Sequence, residues 1–260
     1  MNLVVCLKQV FSTEAKIRIS PDGRAVSDEG VEWVMSPYDE YALEEAIRIK
    51  EATGAGTIIA ISIGPDRCTP MLRSALALGA DRALHLKDPM FDSVDALGVA
   101  RALAAAIRRN PCDMVLFGRM GVGMDQGVIP AMVAELLGAP MAGLVVKITV
   151  DAEKVRCVRE IDGGSEVVEM ALPAVVTAQK GLNEPRIANL KGIMAAKKKP
   201  LDLLTAADLG LAAPDLQDVR LVHESYELPA PRTAARLLQG DPADTARQLV
   251  QILRNEAKVI

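Results

Sequence analysis

Residues 57–63, Thr-Ile-Ile-Ala-Ile-Ser-Ile, carry no charge and no polar–apolar alternation. A strand of this kind is stable only when both its faces are covered, as in a parallel sheet sandwiched between helices. Short apolar runs recur at residues 3–7, 82–86 and 113–117, with helical stripes between them. Residues 38–52 place apolar side chains at 38, 41, 42, 46 and 49, and Gly54 and Gly56 end the stripe. Ser36-Pro37 precedes it as a capping pair. Thr69-Pro70 predicts an N-cap with Pro at the first helical position, opening a helix that Gly79 stops. Asp92 predicts the cap of a helix reaching about Arg109. Strand–helix alternation in this order predicts an α/β fold, a Rossmann-like, doubly wound, mostly parallel sheet.

From Gly143 the pattern changes. Strands are expected at 144–150, 155–161 and 166–172, with turns at Asp151-Ala152-Glu153 and Asp162-Gly163-Gly164, followed by the apolar run 174–178. The sheet should therefore have an antiparallel part. Nearer the start, residues 16–19 and 24–27 flank Pro21-Asp22-Gly23, a hairpin signal. After Lys199-Pro200, residues 201–239 are rich in Leu, Ala, Pro and Asp without a long periodic segment. Asp241-Pro242 then caps a final helix with Leu249, Val250 and Leu253 on one face. The chain divides into an α/β domain, 1–200, and a C-terminal arm, 201–260. The arm's helix packs either on its own domain or on another chain.

Composition narrows the function classes. One Trp, three Tyr and three Phe in 260 residues leave the core to aliphatic side chains, unlike a base-stacking platform. Thirty basic residues against thirty-four acidic ones give a charge of −4, without the basic footprint of nucleic-acid binding. Cys6, Cys68, Cys112 and Cys157 lack the spacing of a zinc site or a redox pair, and read as reduced thiols. The N-terminus reads as a strand rather than a signal peptide. Residues 128–146 contain one charge, Glu135, but Pro130, Gly138, Pro140 and Gly143 break them into helix, turn and strand. A soluble, cytoplasmic protein without direct membrane insertion is expected.

Chemistry concentrates in the loop Gly118-Arg119-Met120-Gly121-Val122-Gly123-Met124-Asp125-Gln126-Gly127, between a buried strand and a helix. Free N–H groups at such a helix start can hold phosphate; a plain tight turn is the other reading. Its spacing is neither a dinucleotide fingerprint nor a P-loop. Strand ends near Cys6, Ile63 and Gly118 and the helix start at Ser36-Pro37-Tyr38-Asp39-Glu40 converge on one cleft if the sheet is doubly wound. His85 and His223 have no neighbouring Ser or Cys in sequence and read as core or surface groups, so acid–base or nucleophilic catalysis has little support. In the long loop at about 181–199, Leu190 lies between Arg186 and Lys191 and ahead of Lys197-Lys198-Lys199. This is either a solvated face or a docking patch.

Several stretches resemble the small (beta) subunit of electron transfer flavoprotein. They are Val158-Arg159-Glu160-Ile161-Asp162-Gly163-Gly164-Ser165-Glu166, Gly181-Leu182-Asn183-Glu184-Pro185-Arg186, Gly192-Ile193-Met194-Ala195-Ala196-Lys197-Lys198-Lys199 and Met35-Ser36-Pro37-Tyr38-Asp39-Glu40. The resemblance covers about residues 1–200. It implies a heterodimer with an alpha subunit that holds most of the redox FAD. In this chain it implies a bound AMP, or a second FAD in electron-bifurcating members. The nucleotide contacts fall on Cys6; Ser36, Pro37, Tyr38 and Asp39; Ile63; and Gly123, Met124, Asp125, Gln126, Gly127, Val128, Ile129, Pro130, Ala131, Met132, Val133 and Ala134. Partner contacts fall on Glu160, Arg186, Leu190, Lys191, Ile193 and Met194, with Leu190 as the leucine that recognises acyl-CoA dehydrogenase-type flavoproteins. The arm would pack on the alpha subunit. The implied role is an electron carrier between flavin dehydrogenases and a quinone-linked oxidoreductase or other acceptor, rather than a catalyst in its own right. Gly123 stands where the family has a first Asp, and Val128-Ile129-Pro130 replaces its Gln-Thr-Gly or Gln-Val-Gly triplet, with Pro130 removing one N–H donor. A non-bifurcating carrier is expected. A stand-alone adenine-nucleotide binder on the same fold is the alternative of another class.

Overall fold

The computed structural model describes residues 1–151, 153–216, 218–232 and 234–260. The chain begins with β1 (Leu3–Cys6), then β2 (Gln9–Phe11) and β3 (Trp33–Met35), which pair antiparallel apart from the main sheet. The alternation follows as α1 (Pro37–Thr53), β4 (Ile58–Ile63), α2 (Cys68–Leu78), β5 (Arg82–Leu86), α3 (Ala96–Arg108), β6 (Met114–Gly118) and α4 (Ile129–Leu137). Next come β7 (Met141–Val150), β8 (Lys154–Ile161), β9 (Gly164–Ala171) and β10 (Ala174–Ala178). The remainder holds α5 (Leu190–Ala196), β11 (Leu201–Leu204), α6 (Ala213–Leu216) and α7 (Pro242–Asn255).

Nine strands form one sheet in the order β11-β5-β4-β1-β6-β10-β7-β8-β9. The strands from β11 to β7 run parallel, and β8 and β9 add antiparallel hairpins at the far edge. The alternating side chains of β1 divide the core. Leu3 and Val5 pack with α1 and α2 on one face, Val4 and Cys6 with α3 and α4 on the other. Ile58, Ala60 and Ile61 are fully buried, as the uncharged run at 57–63 requires. The expected α/β class and mixed sheet are what the chain adopts.

Local signals misplace several boundaries. Ser36 is the N-cap residue of α1, but its hydroxyl donates to the Met120 carbonyl at 3.4 Å and does not cap the helix. α2 starts at Cys68 rather than at Pro70, and the Thr69 hydroxyl sits 3.4 Å from His85 Nδ1. Asp95, not Asp92, caps α3, accepting from the N–H groups of Leu97 and Gly98 at 3.0 and 3.1 Å. Asp88, Asp92 and Asp95 are all competent caps; the one directly followed by an apolar helical run opens the helix. The hairpin at 16–27 reduces to one bridge, Ile19 to Val26. Ala152 of the turn Asp151-Ala152-Glu153 lies outside the described residues.

The region after Pro200 holds an unforeseen edge strand, β11, pinned by Asp202 to Arg82 on β5 at 2.5 Å. Ala206, Leu209 and Leu216 are buried in the core. α7 is capped by Asp241 as its sequence predicts, yet none of its residues is buried. Its Leu249 and Val250 face solvent in this chain. Among the described residues, no helix is long and apolar enough to cross a membrane, and no cluster of His, Cys, Asp and Glu is placed to hold a metal. The four cysteines are free thiols.

Candidate functional site

The sheet changes winding direction beside β1. From β1 the chain moves outward through β4 and β5, then crosses back to place β6 on the other side. The carboxyl ends of β1 and β6 therefore diverge into a crevice, where ligands of open α/β sheets bind. A cavity of about 370 Å³ occupies this position. Cys6 of β1, Ile63 of β4, and Phe117 and Gly118 of β6 form its floor. Val94, Val99 and Leu103 supply an apolar wall at α3, and Met124 and Val128 line it from the loop and the start of α4. Leu221 and His223 of the arm also border it.

Asp39 organises the floor. It is buried, and its carboxylate accepts from the N–H of Lys8 at 2.6 Å and of Gly118 at 2.9 Å. Burial pushes its pKa up to about 7, against the lowering effect of those two hydrogen bonds. Lys8 runs from the end of β1 along the cavity, so close to Gly121 that a Cβ there would lie 2.5 Å from the Lys8 Cδ. Partial burial lowers the Lys8 pKa, while Asp39 and Asp125 favour its charged form. Cys6 is buried, and desolvation holds its thiol well above the ordinary value.

The loop from 119 to 128 turns on itself. The N–H groups of Met124 and Asp125 both reach the Gly121 carbonyl, at 3.3 and 3.0 Å, and Asp125 accepts from the Gly123 N–H at 3.1 Å. Gly123, Asp125 and Gly127 all have positive φ. α4 then begins without a side-chain cap, with Pro130 in its first turn. With Pro130 lacking an N–H and the Met132 N–H bonded to the Val128 carbonyl at 3.1 Å, the N–H groups of Ile129, which lines the cavity, and of Ala131 behind it are left as donors.

Of the nucleotide contacts implied by resemblance, Cys6, Asp39, Ile63, Met124, Gln126, Gly127, Val128, Ile129 and Pro130 line this cavity. Ser36, Pro37, Tyr38, Gly123, Asp125, Ala131, Met132, Val133 and Ala134 do not line it. Lys8, Asp95, Leu221 and His223 do, and local sequence reading missed them. Lys8 carried one signal, its place directly after the first strand.

A second feature is a ridge on the same chain. Ile187 is 93% exposed and Leu190 75%, with Ile193 and Met194 also exposed. The chain beneath them is tightly held. Arg186 forks onto α1, with Nε 2.8 Å from Glu44 Oε2 and Nη1 2.7 Å from Glu51 Oε1. Those bonds raise its pKa, Glu51 contributing first and Glu44 second. Asn183 donates to Glu45 at 2.8 Å and to the Tyr41 carbonyl at 3.0 Å. Arg186 is thus committed within the chain, whereas Lys191 is exposed. Glu160 accepts from Gln179 Nε2 at 3.1 Å; Gln179 Oε1 in turn lies 3.4 Å from Arg119, whose guanidinium stands 5.5 Å from the Tyr38 ring.

Comparison with known proteins identifies the family. The model of the electron transfer flavoprotein domain family matches residues 24–209. The chain is 40% identical to the electron transfer flavoprotein subunit beta of Bacillus subtilis over 262 residues, covering 100% of each. It is 37% identical to the subunit of that name from Syntrophomonas wolfei, covering 100% of this chain and 98% of the relative. With the Bos taurus subunit the identity is 38%, covering 100% and 99%.

Proposed function

The chain belongs to the electron transfer flavoprotein family, as its beta (small) subunit, and from that premise we propose that it seats an adenine nucleotide at the β1–β6 crevice and offers the 187–194 ridge to flavin dehydrogenases. An alpha subunit, its heterodimer partner, would hold most of the redox FAD. When bound, that flavin supplies the reversible electron carriage. The contribution of this chain is binding and positioning.

One observation carries the nucleotide reading: the cavity is lined by apolar side chains together with the Lys8 ammonium and an uncapped helix start. The apolar wall of Val94, Val99 and Leu103, with Phe117 in the floor, suits a planar base. Lys8 and the first-turn N–H groups of α4 suit a phosphate. Gly121 leaves the room that the Lys8 stem occupies. The residues present therefore fit an adenylate, although Pro130 offers one donor fewer than a non-proline residue would.

The ridge supports the docking half of the reading. Leu190 and Ile187 are apolar side chains held out in water on a rigid base, with the exposed Lys191, Lys197 and Lys198 close by in sequence. That is the layout of an anchor with a charged rim. We propose an acyl-CoA dehydrogenase-type flavoprotein as the donor and a quinone-linked oxidoreductase as the onward acceptor. We further propose that the arm and α7 pack on the alpha subunit through Leu249 and Val250.

Chromatography of the nucleotides released from the denatured native heterodimer tests the cavity. One FAD with one AMP is expected; two FAD would make this the bifurcating type, and FAD alone would remove the nucleotide site. Leu190→Ala tests the ridge. It should slow electron exchange with the dehydrogenase at least tenfold at equal flavin content, and unchanged kinetics would refute the docking role.

A further inference from the structure

The arm does more than leave the domain. After α6 it passes the N-terminus of α3, where Arg101 holds the Asp215 carbonyl at 2.6 Å and lies 3.9 Å from the Asp218 carboxylate. Asp95 then performs two tasks with two oxygens. Oδ1 caps α3 through Leu97 and Gly98, while Oδ2 accepts the Arg220 backbone N–H at 2.8 Å. That arm hydrogen bond is the largest influence holding the Asp95 carboxyl below its ordinary pKa. The next residues, Leu221 and His223, border the cavity. The His223 ring stacks on Tyr226 with centroids 5.6 Å apart, and the Tyr226 N–H donates to the Gly23 carbonyl at 2.8 Å. Residues 218–226 are thus hung between the α3 cap and the turn at Gly23, along the margin of the cavity.

This segment is lightly held. Leu221 and Val222 are 51% and 72% exposed, so little apolar area fastens it from within. The backbone N–H groups of Arg220 and Tyr226 and a long ion pair from Arg101 to Asp218 anchor it, and such contacts offset only part of the entropy lost in ordering nine residues. Beyond it, Leu228, Leu237, Leu249 and Val250 are exposed apolar side chains. They leave an apolar surface free for the alpha subunit.

Resting on the reading of the cavity as an adenine-nucleotide site, we propose that residues 218–226 are a strap closing that cavity, latched by Asp95 and held shut when the alpha subunit engages the arm. The free subunit then exchanges its nucleotide readily, and the heterodimer traps it. Binding to the arm and retention of the nucleotide are coupled through one segment, so each stabilises the other.

The test measures release of labelled AMP from the loaded heterodimer into excess unlabelled AMP. One variant is the double substitution Leu221→Gly with His223→Ala, which removes exposed side chains and leaves the core untouched. The other is Asp95→Asn: asparagine still caps a helix, but its single side-chain acceptor cannot serve both α3 and the arm. Release at least tenfold faster than wild type for the double variant, and at least threefold faster for Asp95→Asn, is the expected result, with both heterodimers intact by gel filtration. Full nucleotide content with an unchanged release rate in both variants overturns the strap and leaves the nucleotide site standing. A wild-type heterodimer without adenine nucleotide beyond its redox FAD overturns the site itself, and the strap with it.

Discussion

Asp39 and Gly118 are 79 positions apart, and the Asp39 Oδ1 accepts the Gly118 N–H at 2.9 Å. Its other oxygen accepts from Lys8. One buried carboxylate therefore ties together the carboxyl ends of β1 and β6, the strands that flank the cavity. Its folded pKa, near 7, lies above the ordinary carboxylate value, so the folded state binds the proton more tightly than the unfolded chain. Stability should fall as pH rises from about 4 to about 7, by up to about 1.4 kcal/mol per pH unit, and this contribution should level off above that window. Asp39→Asn presents an NH₂ group to one of the two N–H donors. It should cost about 1–3 kcal/mol at pH 5 and flatten the slope. Thermal melts between pH 4 and 8 check both outcomes; an Asn variant that keeps the wild-type slope would show that another group titrates.

Arg186 clamps the base of the ridge to α1. Glu44 is buried, so Arg186→Gln strips an almost inaccessible carboxylate of its principal charged partner and leaves it Arg48 and the backbone N–H of residue 186. A loss of about 1–3 kcal/mol follows from such a change. Denaturant unfolding gives the stability. Limited proteolysis should find bonds within residues 187–196 cut several-fold faster, and an unaltered cleavage rate would mean the loop is held elsewhere.

Gly192 lets α5 lie on α2. A Cβ at that position would stand 2.4 Å from the Ala77 carbonyl oxygen, a backbone atom that cannot swing away. Gly192→Ala should destabilise by about 1–3 kcal/mol, although alanine is the better helix former. The melting temperature should drop, and KM for the dehydrogenase should rise as α5 shifts under Leu190. A stabilised variant would contradict this packing.

The exposed face of α7 makes a separate prediction. Leu249→Asp with Val250→Asp alters side chains that are 47% and 46% exposed in this chain. The isolated subunit should change in stability by no more than about 0.5 kcal/mol. Association with the alpha subunit should weaken at least tenfold, read by sedimentation of the mixed subunits. Equal affinity would assign the α7 face to some other role.

Much of the architecture was legible because the signals are local. The uncharged, Ile-rich run at 57–63, the stripe closed by Gly54, and the turn at Gly163 with its φ of +79° each act within a few residues. The failures were local competitions that sequence alone does not resolve. Ser36, Thr69 and Asp92 are all good capping residues, and each was displaced: Ser36 by a hydrogen bond to Met120, Thr69 by a contact with His85, Asp92 by Asp95. The short edge strand β11 was invisible because four residues carry too little periodicity to stand out.

The amino-acid sequence by itself determined the strand–helix alternation, the aliphatic core, the antiparallel extension and the motifs that mark the family. These depend on spacing and composition, which are properties of the chain before it folds. Only the tertiary structure decided that Lys8, Asp95, Leu221 and His223 share one cavity, that Arg186 turns inward onto Glu44 and Glu51, and that Leu190 stays in water. Such meetings are fixed by the order in which strands assemble across a sheet. That order brings together residues whose separation along the chain carries no trace of it.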